Sequence, residues 1–311
     1  MQLTVDKVNK SFGQKHVLKD ISFTAQSGVA TGFLGRNGSG KTTTIRIIMD
    51  IYTADSGVTT IDGRPSKEFI SKIGYLPEER GLYPKRIISD QMTYLGELRG
   101  MKPRDARKRG KELLEKLDAG EYFDKKLDTL SKGNQQKIQL AISLINDPDI
   151  IILDEPFSGL DPVNSQILKK LVQEQVQAGK MVFFSSHQMS QVEQFCDDIC
   201  MIRAGEIVLQ GSLRDIKKTY PRDRVLVIPE ESRMSDLRGL FSNSAELKRI
   251  TKSMSAHTGG GFLINLNNET DKAELFNCIA SSGIDLDTFT VVEPTLEEIF
   301  VEESGEEYEA V

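Results

Sequence analysis

Gly35-Arg36-Asn37-Gly38-Ser39-Gly40-Lys41-Thr42 places glycines, a lysine and a hydroxyl at the spacing G-x-x-x-x-G-K-[ST]. Glycines allow the tight path that aims successive backbone N–H groups at phosphate oxygens. A helix starting at the end of the loop adds a partial positive charge. Lys41 can then reach terminal phosphates, and the Thr42 hydroxyl suits Mg²⁺. A second group follows the run Ile150-Ile151-Ile152-Leu153: the adjacent carboxylates Asp154 and Glu155. Two carboxylates at the end of a buried strand are costly unless they serve a site. Asp154 suits the metal, and Glu155 suits a water that must be oriented or deprotonated. His187 closes a third run, Lys180 to Phe184 and then Ser185-Ser186. A histidine there either caps the strand or contacts a γ-phosphate. The three groups together imply a site for a magnesium nucleoside triphosphate.

Three strands must carry these groups. Val29-Ala30-Thr31-Gly32-Phe33-Leu34 reads as the strand entering the glycine loop, and Thr43 to Met49 as the helix leaving it. Four consecutive large apolar residues before Asp154 fit a parallel strand covered by helices on both faces. Ligands of open α/β sheets bind at the carboxyl ends of such strands, where the loop, the carboxylates and His187 all fall.

The rest of the chain reads as support. Leu3-Thr4-Val5 and Ile21-Ser22-Phe23-Thr24 suggest antiparallel strands. Phe12, in Ser11-Phe12-Gly13, is either a core anchor or an exposed ring on which a base stacks. Asp55-Ser56-Gly57 and Asp62-Gly63 read as turns, and Ile73-Gly74-Tyr75-Leu76-Pro77 as a short strand ended by proline. Residues 89–117 are mostly helical, with Pro103 starting a helix whose Arg104, Arg107, Lys108, Arg109 and Lys111 form a basic surface, either a solvated face or a partner-docking one. The pattern loosens over 212–224, the expected linker. Beyond it, strands at 225–228, 262–266 and 287–292 and helices at 234–242, 271–282 and from 295 suggest a small α+β domain.

A length of 311 residues suggests two domains. Residues 221–311 carry 18 acidic and 8 basic side chains, and residues 1–220 carry 28 and 32. That asymmetry supports a boundary near 220 and argues against nucleic acid as a partner. No apolar run approaches the ~18 residues of a membrane span, and the first residues lack the apolar core of a signal peptide. The expected compartment is the cytosol, with any membrane attachment made through a partner. Cys196, Cys200 and Cys278 are too few for a disulfide framework. The first two, four apart on an expected helix, read as small buried residues. His16, His187 and His257 suggest no metal cluster. The tail 302–311 holds five Glu and no basic residue, so disorder is expected.

With loop and carboxylates placed, Leu130-Ser131-Lys132-Gly133-Asn134-Gln135-Gln136 resembles the Leu-Ser-Gly-Gly-Gln signature of ATP-binding cassette (ABC) ATPases. Ser131 can cap the following helix and leave its N–H groups to an anion. The resemblance covers about residues 1–215 and implies an α/β phosphate-loop fold. That fold has a mixed sheet flanked by helices, an antiparallel β subdomain, and a helical subdomain at about 85–145. A linker at 216–224, an accessory domain at 225–301 and the tail at 302–311 would complete the chain. By the same resemblance ATP lies against Phe12 and residues Gly35, Arg36, Asn37, Gly38, Ser39, Gly40, Lys41, Thr42 and Thr43. Mg²⁺ meets Thr42, Glu78 and Asp154, while Glu155 and His187 act on the γ-phosphate. Ser131, Gly133, Asn134 and Asp161 serve the ATP of a second cassette, identical or paralogous. The chain departs from the family pattern at Lys132, Asn134 and Glu78, the last replacing a usual glutamine.

Glu293-Pro294-Thr295-Leu296-Glu297-Glu298-Ile299-Phe300 is similar to the ending of cassettes from sodium and antibiotic exporters with a separate permease. The implied protein is an ATP-hydrolysing transporter subunit, held on the inner face of the membrane by a transmembrane permease, without direct lipid insertion or nucleic acid. Residues 81–84, Gly81-Leu82-Tyr83-Pro84, resemble the permease contact. The alternatives are a soluble ABC ATPase acting on nucleic acid or ribosomes, and a regulatory ATP-binding module.

Overall fold

The computed structural model describes residues 1–79, 81–230, 233–257 and 260–304. The chain divides into two compact units, residues 1–213 with 300–311, and residues 214–299.

The first unit begins with β1 (Gln2–Phe12) and β2 (Lys15–Gln26), followed by β3 (Ala30–Leu34) and α1 (Lys41–Ile48). Next come β4 (Ser56–Ile61), β5 (Arg64–Pro65) and β6 (Ile73–Leu76). A helical stretch holds α2 (Ile88–Leu98), α3 (Pro103–Lys116) and α4 (Lys132–Ser143). The chain re-enters the sheet as β7 (Ile150–Asp154), α5 (Pro162–Gln177), β8 (Met181–Ser186), α6 (Met189–Phe195), β9 (Asp198–Arg203) and β10 (Glu206–Ser212).

Two sheets result. One is antiparallel in the order β2-β1-β4-β5, and the other is mixed, β10-β9-β3-β8-β7-β6, with only the edge strand β10 antiparallel to its neighbour. Every residue of β3, β7 and β8 is buried, the outcome expected of apolar runs covered on both faces. Phe23, Phe33 and Phe183 close the space between the sheets, with ring centroids 5.2–5.5 Å apart. Each such pair adds about 0.5–1.5 kcal/mol beyond area burial. Phe33 lies two residues before Gly35, and Phe183 two before Ser185, so the triplet fixes the strand ends that carry the site.

The second unit follows from α7 (Leu213–Thr219), whose first residue belongs to the first unit. It holds β11 (Arg224–Pro229), α8 (Met234–Asn243), α9 (Ala245–Ile250), β12 (Thr251–Ala256), β13 (Phe262–Leu266), α10 (Lys272–Ser281), β14 (Leu286–Val291) and the start of α11 (Leu296–Ser304). Its sheet is antiparallel, in the order β12-β13-β11-β14. Burial alternates along β11 and β13, so Val225, Val227, Phe262, Ile264 and Leu266 share a core with Leu237, Phe241 and Ile279.

Four local expectations change. Cys196 follows the last residue of α6 and Cys200 lies in β9, so the pair does not share a helix. Both are buried, and burial pushes both thiols up, away from reactivity. Ser56-Gly57 opens β4 instead of making a turn; Gly57 is required because a Cβ there would meet the Lys7 carbonyl oxygen at 2.2 Å. The loosened stretch after 212 starts as α7, with Lys217 and Lys218 in its last turn, where cations suit the helix dipole. Glu302, Glu303 and Ser304 continue α11 rather than beginning a disordered tail, and 305–311 lie outside the described residues.

Candidate active site

β3 ends at Leu34 and α1 begins at Lys41, so residues 35–40 form the connecting loop. Close approach dictates glycine at both ends of it. A Cβ on Gly35 would meet the Ile202 carbonyl oxygen at 2.4 Å, and one on Gly40, at φ 115°, would meet Leu18 Cδ2 at 2.5 Å. No acidic residue occupies the first turn of α1, which leaves its positive dipole end to an anion. Lys41 is buried; its Nζ donates to the carbonyls of Gly35 (2.7 Å) and Arg36 (3.4 Å) and lies 3.5 Å from Glu155 Oε1.

Asp154 and Ser185 are register partners in the parallel pair β7–β8. Ser185 Oγ donates to Asp154 Oδ1, and Thr42 Oγ1 donates to the same oxygen at 3.5 Å. Glu155 takes a left-handed backbone, φ 51°, which a non-glycine residue adopts only when its surroundings impose it. Here β8 imposes it: the Glu155 N–H donates to the carbonyl oxygen and to Oγ of Ser185, both at 3.2 Å. The side chain thereby turns toward His187, whose Nδ1 lies 2.9 Å from Glu155 Oε2. Ser185 was not anticipated as a site residue. Its signal was its place at the end of the third apolar run, opposite the carboxylates once the strands pair.

Two buried carboxylate oxygens, Asp154 Oδ2 and Glu155 Oε1, accept no hydrogen bond. Orphaned buried carboxylate oxygens are costly, and a divalent cation relieves that cost. Asp154 with the Thr42 hydroxyl supplies hard oxygen donors, the chemistry Mg²⁺ prefers. Among the described residues no cluster of three or more His, Cys, Asp or Glu gathers around a metal, so an ion here would take most ligands from phosphate and water.

A cavity of about 350 Å³ opens over the loop. Asn37, Gly38, Gly40, Lys41, Thr42 and Thr43 line its floor, Glu155 and Glu78 one side, and Phe12, Lys15 and Val17 the other. Glu78 is exposed. Phe12 is 45% exposed and rests edge-on against Tyr52 at 5.5 Å, which decides between its two readings in favour of an available ring. Lys15 and Val17 belong to no motif and are brought in by the β1–β2 hairpin. Gly35, Arg36 and Ser39 do not line this cavity; the first two turn their carbonyls to Lys41.

The remaining expected residues stand elsewhere. Ser131 caps α4, its Oγ accepting from the Asn134 N–H at 3.3 Å. The Asn134 amide donates to the Tyr122 hydroxyl at 3.0 Å. Gly133 faces Leu160 and Asn164, and Asp161 caps α5 by accepting from the Asn164 N–H at 2.9 Å, which holds its carboxyl below the ordinary range. None of the four lines the cavity over Lys41.

A mixed sheet that delivers a phosphate loop, two carboxylates and a histidine to one edge defines a phosphate-loop nucleotide-binding cassette. The ABC transporter family model matches residues 18–158, and the model for the C-terminal domain of DrrA1-3-like ATP-binding proteins matches 211–304. An uncharacterized ABC transporter ATP-binding protein of Bacillus subtilis, YhaQ, is 40% identical over 99% of this chain and 100% of its own length. The Nod factor export ATP-binding protein I of Burkholderia lata is 30% identical over 78% of this chain and 82% of its own. Among solved structures, the dimeric structure of MJ0796, a bacterial ABC transporter cassette, superposes with a TM-score of 0.61 at 26% identity, covering 68% of this chain and 99% of that one. The chain belongs to the ATP-binding subunits of ABC transporters.

Proposed function

We propose that this chain hydrolyses Mg²⁺-ATP as half of a cassette dimer and drives export through a separate membrane permease. The observation that carries the hydrolytic part is the buried Glu155, fixed between His187 and Lys41 beside the orphaned oxygen of Asp154. The loop amides and Lys41 hold the β- and γ-phosphates, and Phe12 offers its ring to adenine. Thr42 and Asp154, with Glu78 at the mouth, would hold Mg²⁺, whose chemistry is to neutralise charge on the phosphates. Glu155 orients the attacking water and takes up its proton, and His187 holds the Glu155 carboxylate and senses the γ-phosphate.

Ser131, Gly133, Asn134 and Asp161 sit away from the cavity of their own chain, which supports a role on the ATP of a second cassette. Two copies facing each other would give each ATP a phosphate loop from one chain and the capped N-terminus of α4 from the other. Dimer formation on ATP, and opening after hydrolysis, is the motion passed to the permease.

The permease contact is supported by a groove of about 390 Å³ lined by Tyr83, Arg86, Asp90, Gln91 and Tyr94. Gln91 builds it: its side chain bonds the N–H and carbonyl of Tyr83 (2.9 and 3.0 Å) and the Arg86 carbonyl (3.1 Å). Tyr83 and Tyr94 stay 58% and 51% exposed, and paired surface tyrosines are frequent anchors of interfaces. No described helix is long and apolar enough to cross a membrane, so the transport path would belong to the partner. Export is the activity named for the Nod factor relative, which supports the same reading here, with the chain held on the inner face of the membrane through the permease. Affinity capture of the full chain from detergent-solubilised membranes tests the reading. A multi-span membrane protein should co-purify with wild type and be lost from a Tyr83→Ala/Tyr94→Ala variant. Capture of RNA or ribosomes in its place would contradict it.

A further inference from the structure

The C-terminal motif ending in Phe300 lies outside the nucleotide cavity, and nothing above gives it a task. α11 starts in the second unit, but Phe300 belongs to the first. There the ring is 3% exposed, with the Arg36 guanidinium carbon 5.8 Å from its centroid, within cation–π range. Three residues on, the Glu303 carbonyl accepts from Arg203 Nη1 at 3.1 Å, a second anchor at the end of β9. Between ring and loop lies a cavity of about 200 Å³, walled by Arg36, Ser39, Ile202 and Phe300 among others. On its inner side, Arg36 gives its carbonyl to Lys41 Nζ (3.4 Å) and to the Ser39 N–H (3.1 Å). Phe300 therefore touches the outside of the residue whose backbone holds the phosphate-binding amine on the inside.

We propose that Phe300 is a positioning residue for the phosphate loop, holding Arg36 so that the loop is ordered before the triphosphate arrives. The proposal rests on the ATP-site reading above. Residues 35–40 include three glycines, whose backbone freedom must be lost before the amides converge. Any contact that orders the loop in the free chain lowers the cost of binding.

The test measures Mg²⁺-ATP affinity by calorimetry, and kcat and KM by phosphate release, in the full-length chain as wild type, Phe300→Ala, Phe300→Leu and Phe300→Tyr. Removing the ring should weaken ATP binding about threefold to tenfold in the Ala and Leu variants. Phe300→Tyr should stay within about twofold of wild type, and kcat at saturating ATP should be preserved throughout, because Glu155 and His187 are untouched. Wild-type affinity in folded Phe300→Ala or Phe300→Leu would overturn the proposal. So would a fall in kcat at constant affinity, or Leu restoring affinity as fully as Tyr, which would make volume and not the ring the relevant property. If Phe300→Ala does not fold, the Leu and Tyr pair decides. A wild-type chain that fails to bind ATP would instead sink the nucleotide reading itself.

Discussion

Lys41 Nζ and Glu155 Oε1 stand 3.5 Å apart, both buried, with no hydrogen bond completing the pair. The cation proposed to meet phosphate and the carboxylate proposed to meet water thus neutralise each other across the cavity over the loop. A triphosphate drawing Lys41 onto its oxygens would release Glu155 to the water on its other side, toward His187. On the proposed roles, binding and activation of the base would be coupled through this one contact.

Lys41→Ala removes the buried lysine whose Nζ lies 3.5 Å from Glu155 Oε1. Charge-assisted bonds to phosphate contribute about 1.5–3 kcal/mol each, so ATP affinity should fall about tenfold to a hundredfold. Calorimetric titration measures it, and unchanged affinity counts against the assignment. The nucleotide-free variant should also melt lower, because the buried Glu155 carboxylate loses its counter-charge.

Chelation of divalent ions should abolish hydrolysis and weaken ATP binding, and Asp154→Asn should do both even in excess Mg²⁺. The reason is the oxygen of Asp154 left without a donor beside the Thr42 hydroxyl. Full turnover in EDTA, followed by phosphate release, would refute it.

Asp147 joins three elements, accepting from Lys180 before β8 and from Arg109 of α3 at 3.4 Å. The Lys180 bond, then the charges of Lys180 and Arg109, hold its carboxyl below the ordinary range against the pull of partial burial. Its stabilisation is therefore present above about pH 4, where the unfolded carboxylate is ionised, and disappears as pH falls through the lower folded value. Asp147→Asn should cost no more than about 1 kcal/mol near pH 7, since Asp147 is largely exposed. That gap should close in acid; denaturant melts between pH 7 and pH 2.5 follow it, and a gap that widens in acid contradicts the pairing.

The pieces of the candidate site could be read from sequence because each is local: a glycine loop, two adjacent acids after an apolar run, a histidine ending another. The strands β3, β7 and β8 that carry these pieces were also readable, β7 and β8 because burial on both faces leaves apolar runs of Ile, Val, Leu and Phe, and β3 because it runs into the glycine loop. Ser185 escaped because its role exists only across the strand pairing, and Lys15 and Val17 because a hairpin, not a motif, brings them in. α9 and β12 escaped for a different reason. Lys252, Ser253 and Ser255 give the edge strand no apolar alternation, and a six-residue helix carries too little periodicity to register. Cys200 was misplaced because a four-residue spacing suits a helix, whereas parallel pairing with β3 places the residue in β9.

The central claim is that Glu155 is the base, and a single substitution addresses it. Glu155→Gln keeps the volume, the loop and the metal donors while removing the proton acceptor. Phosphate release under saturating Mg²⁺-ATP should drop by about 10² to 10⁴, with ATP affinity retained and a dimer accumulating on size exclusion with ATP. Turnover near the wild-type rate in that variant would contradict the account.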